Sequence, residues 1–137
     1  MAELVRFGVS LEKELVEKYD KHIQKNNYPN RSKAIGDLIR EELIREEWAD
    51  NKIVAGSITL VFDHHKRELT NNLTNIQHDF HEIIISSQHI HLDHDNCFEI
   101  VVVKGKPNKL RQLCSKLKAE KGVKHASLCL ATTGAEI

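Results

Sequence analysis

Residues 5–11, Val-Arg-Phe-Gly-Val-Ser-Leu, alternate strictly: Val5, Phe7, Val9 and Leu11 fall on one side, Arg6, Gly8 and Ser10 on the other. That period of two predicts a strand with one buried face. Leu15, Tyr19, His22 and Ile23 then recur at helical spacing up to Asn26-Asn27-Tyr28-Pro29-Asn30, a break whose proline cannot sit inside a helix. Beyond it, Asn30 or Ser32 can cap a second helix, with Ile35, Leu38, Ile39 and Leu43 as its apolar stripe and Trp48 near its end. Strand, helix, helix over about 45–50 residues is too little chain for a generous core, and units of that size commonly rely on self-association. The N-terminal part is therefore expected to dimerise.

Ala49-Asp50-Asn51-Lys52 is a polar joint that divides the chain into residues 1–50 and 51–137. After it, Ile53–Phe62 is rich in β-branched residues and predicts a strand. A helix over 66–81, strands near 83–92 and 98–103, a helix from 109 to about 121 and a strand near 123–132 complete the pattern. Strand-helix-strand thus occurs twice, the order of a ferredoxin-like unit, and the chain as a whole is α+β. Such an order carries no function, because the fold hosts many chemistries.

The 137 residues have a formal net charge of zero, and the first fifty carry nine Lys/Arg against eleven Asp/Glu. A basic footprint for nucleic acid is missing, so any DNA contact must depend on where individual cations point. No run approaches the ~20 apolar residues of a membrane span and no secretory signal is legible, so a soluble, cytoplasmic protein is expected. Three cysteines, Cys97, Cys114 and Cys129, form no paired framework and suit a reducing compartment.

Seven of the nine histidines lie between His64 and His94, most densely in Gln88-His89-Ile90-His91-Leu92-Asp93-His94-Asp95-Asn96-Cys97. Residues two apart on a strand share a side, so His89 and His91 project together while Ile90 and Leu92 are expected to face the core. The turn at 93–96 brings Cys97 back beside them, and three donors come from one hairpin. Singly, a strand histidine or a buried cysteine is ordinary; the three together indicate a metal. Imidazole with thiolate suits zinc, copper, nickel or iron and disfavours calcium and magnesium. His78 and His81, spaced i, i+3 on the preceding helix, are the candidate fourth donors. His64, His65 and His94 are read as solvent-facing, and Cys114 and Cys129 as packing residues.

The chain resembles the nickel-responsive ribbon-helix-helix repressors. The resemblance is carried by Arg6-Phe7-Gly8-Val9-Ser10-Leu11, Asn30-Arg31-Ser32-Lys33-Ala34-Ile35, Asp63-His64-His65-Lys66-Arg67-Glu68-Leu69, Gln77-His78, His89-x-His91 with Cys97-Phe98-Glu99, and Gly122-Val123-Lys124-His125. It implies an N-terminal ribbon-helix-helix DNA-binding domain and a C-terminal ferredoxin-like, ACT-like metal domain that assembles as a homotetramer. It implies one Ni(II) per subunit, square-planar, held by His89, His91 and Cys97 of one subunit and His78 of another. Glu99, Gln77 and Phe62 would support the ligands from behind, Glu99 as partner to an imidazole N–H. Paired strands from two subunits would form a ribbon presenting Arg6, Gly8 and Ser10 to the major groove. Asn30, Arg31 and Ser32, with Lys66 and Arg67, would meet phosphates of operator DNA. The implied output is repression of nickel-uptake genes. Asp79-Phe80 replaces a longer histidine run of some members, and Lys33 and Gly36 replace an acidic residue and an arginine, which weakens a secondary cation site at Asp37. Two other readings compete: a zinc hydrolase with an open fourth position and Glu99 or Glu82 as base, and a small-molecule-responsive regulatory module with incidental histidines.

Overall fold

The computed structural model describes residues 2–137. Two compact units divide between Glu41 and Glu42, and the chain passes from one to the other inside a single helix.

In the first unit, residues 2–12 form neither helix nor strand. The strand expected at Val5–Leu11 is absent from the single chain, and Val5, Phe7 and Val9 stand 78%, 72% and 63% exposed. A lone extended segment has no neighbour to take up its backbone N–H and C=O groups, so the apolar pattern is present without its ladder. Helix α1, Lys13–Lys25, ends where Asn27 turns to φ 59°. The Tyr28 N–H donates to the Ile23 carbonyl at 3.1 Å and the Asn27 N–H to Gln24 at 3.3 Å, the paired bonds of a Schellman cap, with asparagine tolerating the left-handed position. Pro29 follows, and helix α2, Arg31–Ala49, begins with Asn30 as its cap: its Oδ1 accepts the Lys33 N–H at 2.9 Å. Arg31 grips Asp20 through two N–H donors at 2.8 and 2.6 Å, a fork–fork geometry that ties α2 to α1.

The second unit comprises β1 Val54–Asp63, α3 Arg67–Asp79, β2 Ile84–His91, β3 Asn96–Gly105, α4 Pro107–Ala119 and β4 Val123–Leu130. Its sheet runs β2-β3-β1-β4 with antiparallel neighbours throughout, the ferredoxin-like arrangement expected from the element order. Val54, Ile58, Leu60 and Phe62 alternate along β1 and are buried. From the helices, Leu69 and Leu73 of α3 and Leu110, Leu113 and Leu117 of α4 fill the same core, spaced so that each helix buries one stripe. Pro107 opens α4, where a missing N–H costs nothing. The last turns of α2 add buried Trp48, whose indole N–H donates to the Ala131 carbonyl at 2.8 Å. Gly122, at φ +103°, has no room for a Cβ, which would fall 2.7 Å from Leu69 Cδ2.

Ile90 and Leu92 do not face the core. His91 pairs with Cys97 and His89 with Glu99, whereas Ile90 pairs with Phe98, and residues directly opposite in a ladder point to the same side. Cys97 and Glu99 are buried on the helix-covered side, so the histidines join them there. Ile90 and Leu92 stay 40% and 56% exposed, and Cys129, expected as a packing residue, is exposed as well.

Leu113→Ala, a truncation at a fully buried position, should cost about 2–5 kcal/mol in chemical denaturation. The Arg31 hydrogen bond, reinforced by its charge, holds the Asp20 carboxyl below the usual range. A carboxyl depressed in the folded state stabilises above its unfolded pKa of about 3.9 and loses that contribution as pH falls through the folded value. Asp20→Asn should therefore melt below the wild type at pH 7, with the gap closing below about pH 4.

Candidate metal centre and nucleic-acid interface

The site is built on the register of β3. Phe62 of β1 lies opposite Cys97 on one side and His91 of β2 on the other. Cys97 is fully buried, and its Sγ lies 3.4 Å from Nδ1 of His91. The third donor that converges with them is His64: its ligand atom and those of His91 and Cys97 lie within 4.8 Å of one another, and the His64 ring meets His91 edge-on at 4.8 Å. His64 was expected in solvent but is half-buried. It lies in the turn just past the end of β1, two residues beyond Phe62, and comes near Cys97 because Phe62 is paired with that residue, a signal available only once the β1–β3 register is known.

His89 stands beside this group. Its ring centroid is 5.5 Å from that of His91, and it packs edge-on against Phe62 at 5.6 Å. It also lines a cavity of about 210 Å³ with Phe62, Leu73, Gln77 and Glu99. Gln77 Nε2 donates to Glu99 Oε1 at 3.2 Å, so within one chain the buried Glu99 carboxylate is engaged by Gln77 rather than by an imidazole. Phe62, Gln77 and Glu99 thus lie around His89.

Neither His78 nor His81 converges with the cysteine in the same chain. Both are exposed, and they stack on each other with centroids 5.8 Å apart. Helix α3 ends at Asp79, so His81 lies past its end and the expected i, i+3 helical pair is instead a helix end and a turn.

Burial, with the carboxylates of Glu99, Asp63 and Asp93, pushes the Cys97 thiol above its ordinary value. The metal-free sulfur is a neutral thiol at pH 7, and a metal must displace its proton. Imidazole and thiolate donors, one fully buried, fit a borderline divalent ion such as nickel and do not fit calcium or magnesium.

In the first unit, Arg6, Gly8 and Ser10 are exposed on the segment that lacks a pairing partner. The Asn30 side chain is used in capping α2, and the Arg31 guanidinium is held by Asp20, while Ser32 is free at the surface. In the second unit, Lys66 and Arg67 are exposed where α3 begins. Asp37 accepts from Lys33 Nζ at 2.6 Å and Arg40 at 3.3 Å, and the Lys33 bond holds its carboxyl below the usual range. Its charge is already met by lysine and arginine, so it is poorly placed to hold a further cation.

No helix among the described residues is long and apolar enough to cross a membrane. Residues 55–131, more than half the chain, match the family model for the NikR C-terminal nickel-binding domain, and residues 5–46 match the ribbon-helix-helix protein, copG family. A Syntrophus aciditrophicus protein whose name carries the words nickel-responsive regulator is 54% identical over 98% of both chains. So named as well are a Chlorobium phaeobacteroides protein, 54% identical over 96% of this chain and 98% of its own, and a Desulfovibrio desulfuricans protein, 48% identical over 100% and 99%. An uncharacterized protein of Thermotoga maritima, 17% identical, superposes with a TM-score of 0.52 over 56% of this chain and 95% of its own, a likeness of fold alone. Donor chemistry, helix-hairpin and family matches agree: the chain belongs to the nickel-responsive regulators, with a ribbon-helix-helix DNA-binding part and a nickel-binding part, and is not an enzyme.

Proposed function

We propose that the protein is a cytoplasmic, nickel-dependent repressor of nickel-uptake genes, with residues 1–50 reading operator DNA and residues 51–137 binding metal and assembling a homotetramer. The observation that carries the metal half of this reading is the buried Cys97 thiol, flanked by His91 at 3.4 Å with His89 next along the same strand face. His89, His91 and Cys97 would hold one Ni(II) per subunit, and His78 of a second copy would supply the fourth donor. Supporting the assignment to a second copy is the exposure of His78 and its stacking on His81, away from the cysteine. When bound, nickel supplies a common point that ties donors of two copies together, so metal occupancy and assembly are linked.

The chain's own residues do the rest. The ladder fixes His89 and His91 on one face, and the hydrogen-bonded Gln77–Glu99 pair lines the cavity beside His89. His64 is an additional donor in the single chain, able to hold a place beside His91 that His78 takes on assembly. In the other half, the exposed Phe7 and Val9 support ribbon pairing with a second copy, which would bury them and turn Arg6, Gly8 and Ser10 outward into the major groove. Arg6 is the side chain there suited to a bidentate guanine contact. The α2 N-terminus, with Asn30, Arg31 and Ser32, offers free N–H groups to a phosphate, and Lys66 and Arg67 add charge where the metal half meets DNA.

Nickel and operator affinities must rise by the same factor if the two sites are coupled. Gel-shift titration with and without nickel tests this: equal DNA affinity in both would end the regulatory reading. Cys97→Ala should abolish nickel-dependent DNA binding and the thiolate–metal absorption band. Arg6→Ala should keep the band and lose about 1–3 kcal/mol of operator binding. Co-expressed His78→Ala and Cys97→Ala chains should regain part of the nickel binding that each lacks alone, because a mixed interface can rebuild a complete site. No recovery would place His78 in the same chain as the cysteine it serves.

A further inference from the structure

We propose that Glu47, Trp48 and Thr132 are positioning residues that carry the effect of bound nickel into helix α2, and that metal and DNA bind independently once this clasp is opened. The inference rests on the nickel-dependent DNA binding proposed above. Glu47 and Trp48 lie in the last turn of α2, yet they belong to the same compact unit as the metal donors, which begins at Glu42. They are 6% and 2% exposed, while Arg45, Glu46 and Ala49 beside them face solvent.

The segment that follows β4 holds both. The Trp48 indole N–H donates to the Ala131 carbonyl at 2.8 Å, and the Thr132 hydroxyl donates to Glu47 Oε1 at 2.8 Å. Thr132 Oγ1 in turn accepts the Gly134 N–H at 3.1 Å, which leaves its own hydrogen directed at the carboxylate. A carboxylate this deeply buried is costly to leave without a donor, so the bond fixes the side chain. Successive helix residues are about 100° apart around the axis. Bonds from Glu47 and Trp48 to two successive residues of one segment therefore set the rotation of α2 as well as its position. Apolar contact, being non-directional, sets neither as sharply.

The clasp is anchored to the strand that also carries the metal centre. The Ala131 N–H donates to the Ala55 carbonyl at 3.0 Å, continuing the β4–β1 ladder past Leu130. Gly56 makes room for it: a Cβ there would lie 2.8 Å from the Cys129 carbonyl and 3.5 Å from Trp48 Cη2. At the far end of β1, Phe62 is paired with Cys97, about 23 Å from Ala55 at the usual rise of a strand. Helix α4 closes the other side, with Arg111 over the indole at 5.4 Å and the Asn108 N–H donating to Asn51 Oδ1 at 3.3 Å. A shift of β1 as donors close on a metal thus passes through Ala55, Ala131 and Thr132 into α2. That helix runs unbroken back to Arg31, one of the residues proposed to meet DNA.

The test reads the coupling factor, the ratio of DNA affinities with and without Ni(II), on a duplex that the nickel-loaded wild type selects from a random pool. Thr132→Val and Glu47→Ala each remove the hydroxyl–carboxylate bond, whereas Glu47→Gln keeps an oxygen to accept it. The factor should fall about tenfold in the first two and stay near wild type in Glu47→Gln. In all three the thiolate–metal band should titrate as in the wild type when DNA is absent. Acrylamide quenching of Trp48, the chain's single tryptophan, should rise in Thr132→Val and Glu47→Ala. Leu117→Val, a truncation of the buried core farther along α4, should lower the melting temperature and keep the factor. A wild-type factor in Thr132→Val and Glu47→Ala would overturn the clasp while leaving the regulatory reading intact. An equal fall in Leu117→Val would also overturn it, as general loosening, and so would a band weakened in the clasp variants without DNA. A wild type whose DNA affinity ignores nickel would remove the regulatory reading and the clasp's role with it.

Discussion

Register in the β1–β3–β2 ladder is the constraint on which the metal half depends. Cys97 is placed by two pairings at once, with Phe62 on one side and His91 on the other. A slip of one residue would turn Cys97 and Glu99 outward and His89 with them, because side chains alternate with a period of two. Burial enforces the register: Val101 and Val103 continue the Cys97 face of β3 into the core, and exposing that row would forfeit on the order of 1.5–3 kcal/mol for each large side chain. The packing that stabilises the unit is thus the same packing that aims the donors.

The same ladder puts acidity and sulfur in tension. Glu99, Asp63 and Asp93 surround a thiol that burial already keeps neutral. A buried thiol near carboxylates is a poor nucleophile and an unreactive target for oxidation, yet a divalent ion offsets that negative surrounding when the proton leaves. Gln77 holds Glu99 in place, so the carboxylate is available near His89 without being left unpaired. These are properties suited to a sensor that must be inert when empty.

In the first unit the decisive interactions are polar and local. The Asn27–Tyr28 cap, the Asn30 cap and the Arg31–Asp20 fork shape a helix hairpin in which, among the described residues up to Glu41, Ile23 is the one large apolar side chain that is buried. So small a core cannot stabilise a unit of this size alone. Phe7 and Val9, with Leu15, Leu38 and Ile39, are apolar surface left exposed, and without a second strand to pair with, the alternating segment forms no ladder in a single chain.

Local pattern was legible in the sequence because it depends on period and turn chemistry: every helix, the four strands of the second unit, a cap at Asn30 or Ser32, and the return of Cys97 beside His91 across a hairpin. Family resemblance carried the ribbon-helix-helix and nickel-binding assignments, which the matches to known proteins support. What the sequence could not decide was anything set by non-local pairing. His64 joins Cys97 only through the β1–β3 register, and Ile90 and Leu92 face away from the helices because Cys97, opposite His91, is already committed to the core. Arg31 answers Asp20 eleven residues earlier, a partner no helical spacing would nominate. By itself, then, the sequence determined which residues could be strand, helix and donor. The tertiary structure decided which of them share a face, because two faces of a strand are equivalent in sequence and become different only when helices cover one of them.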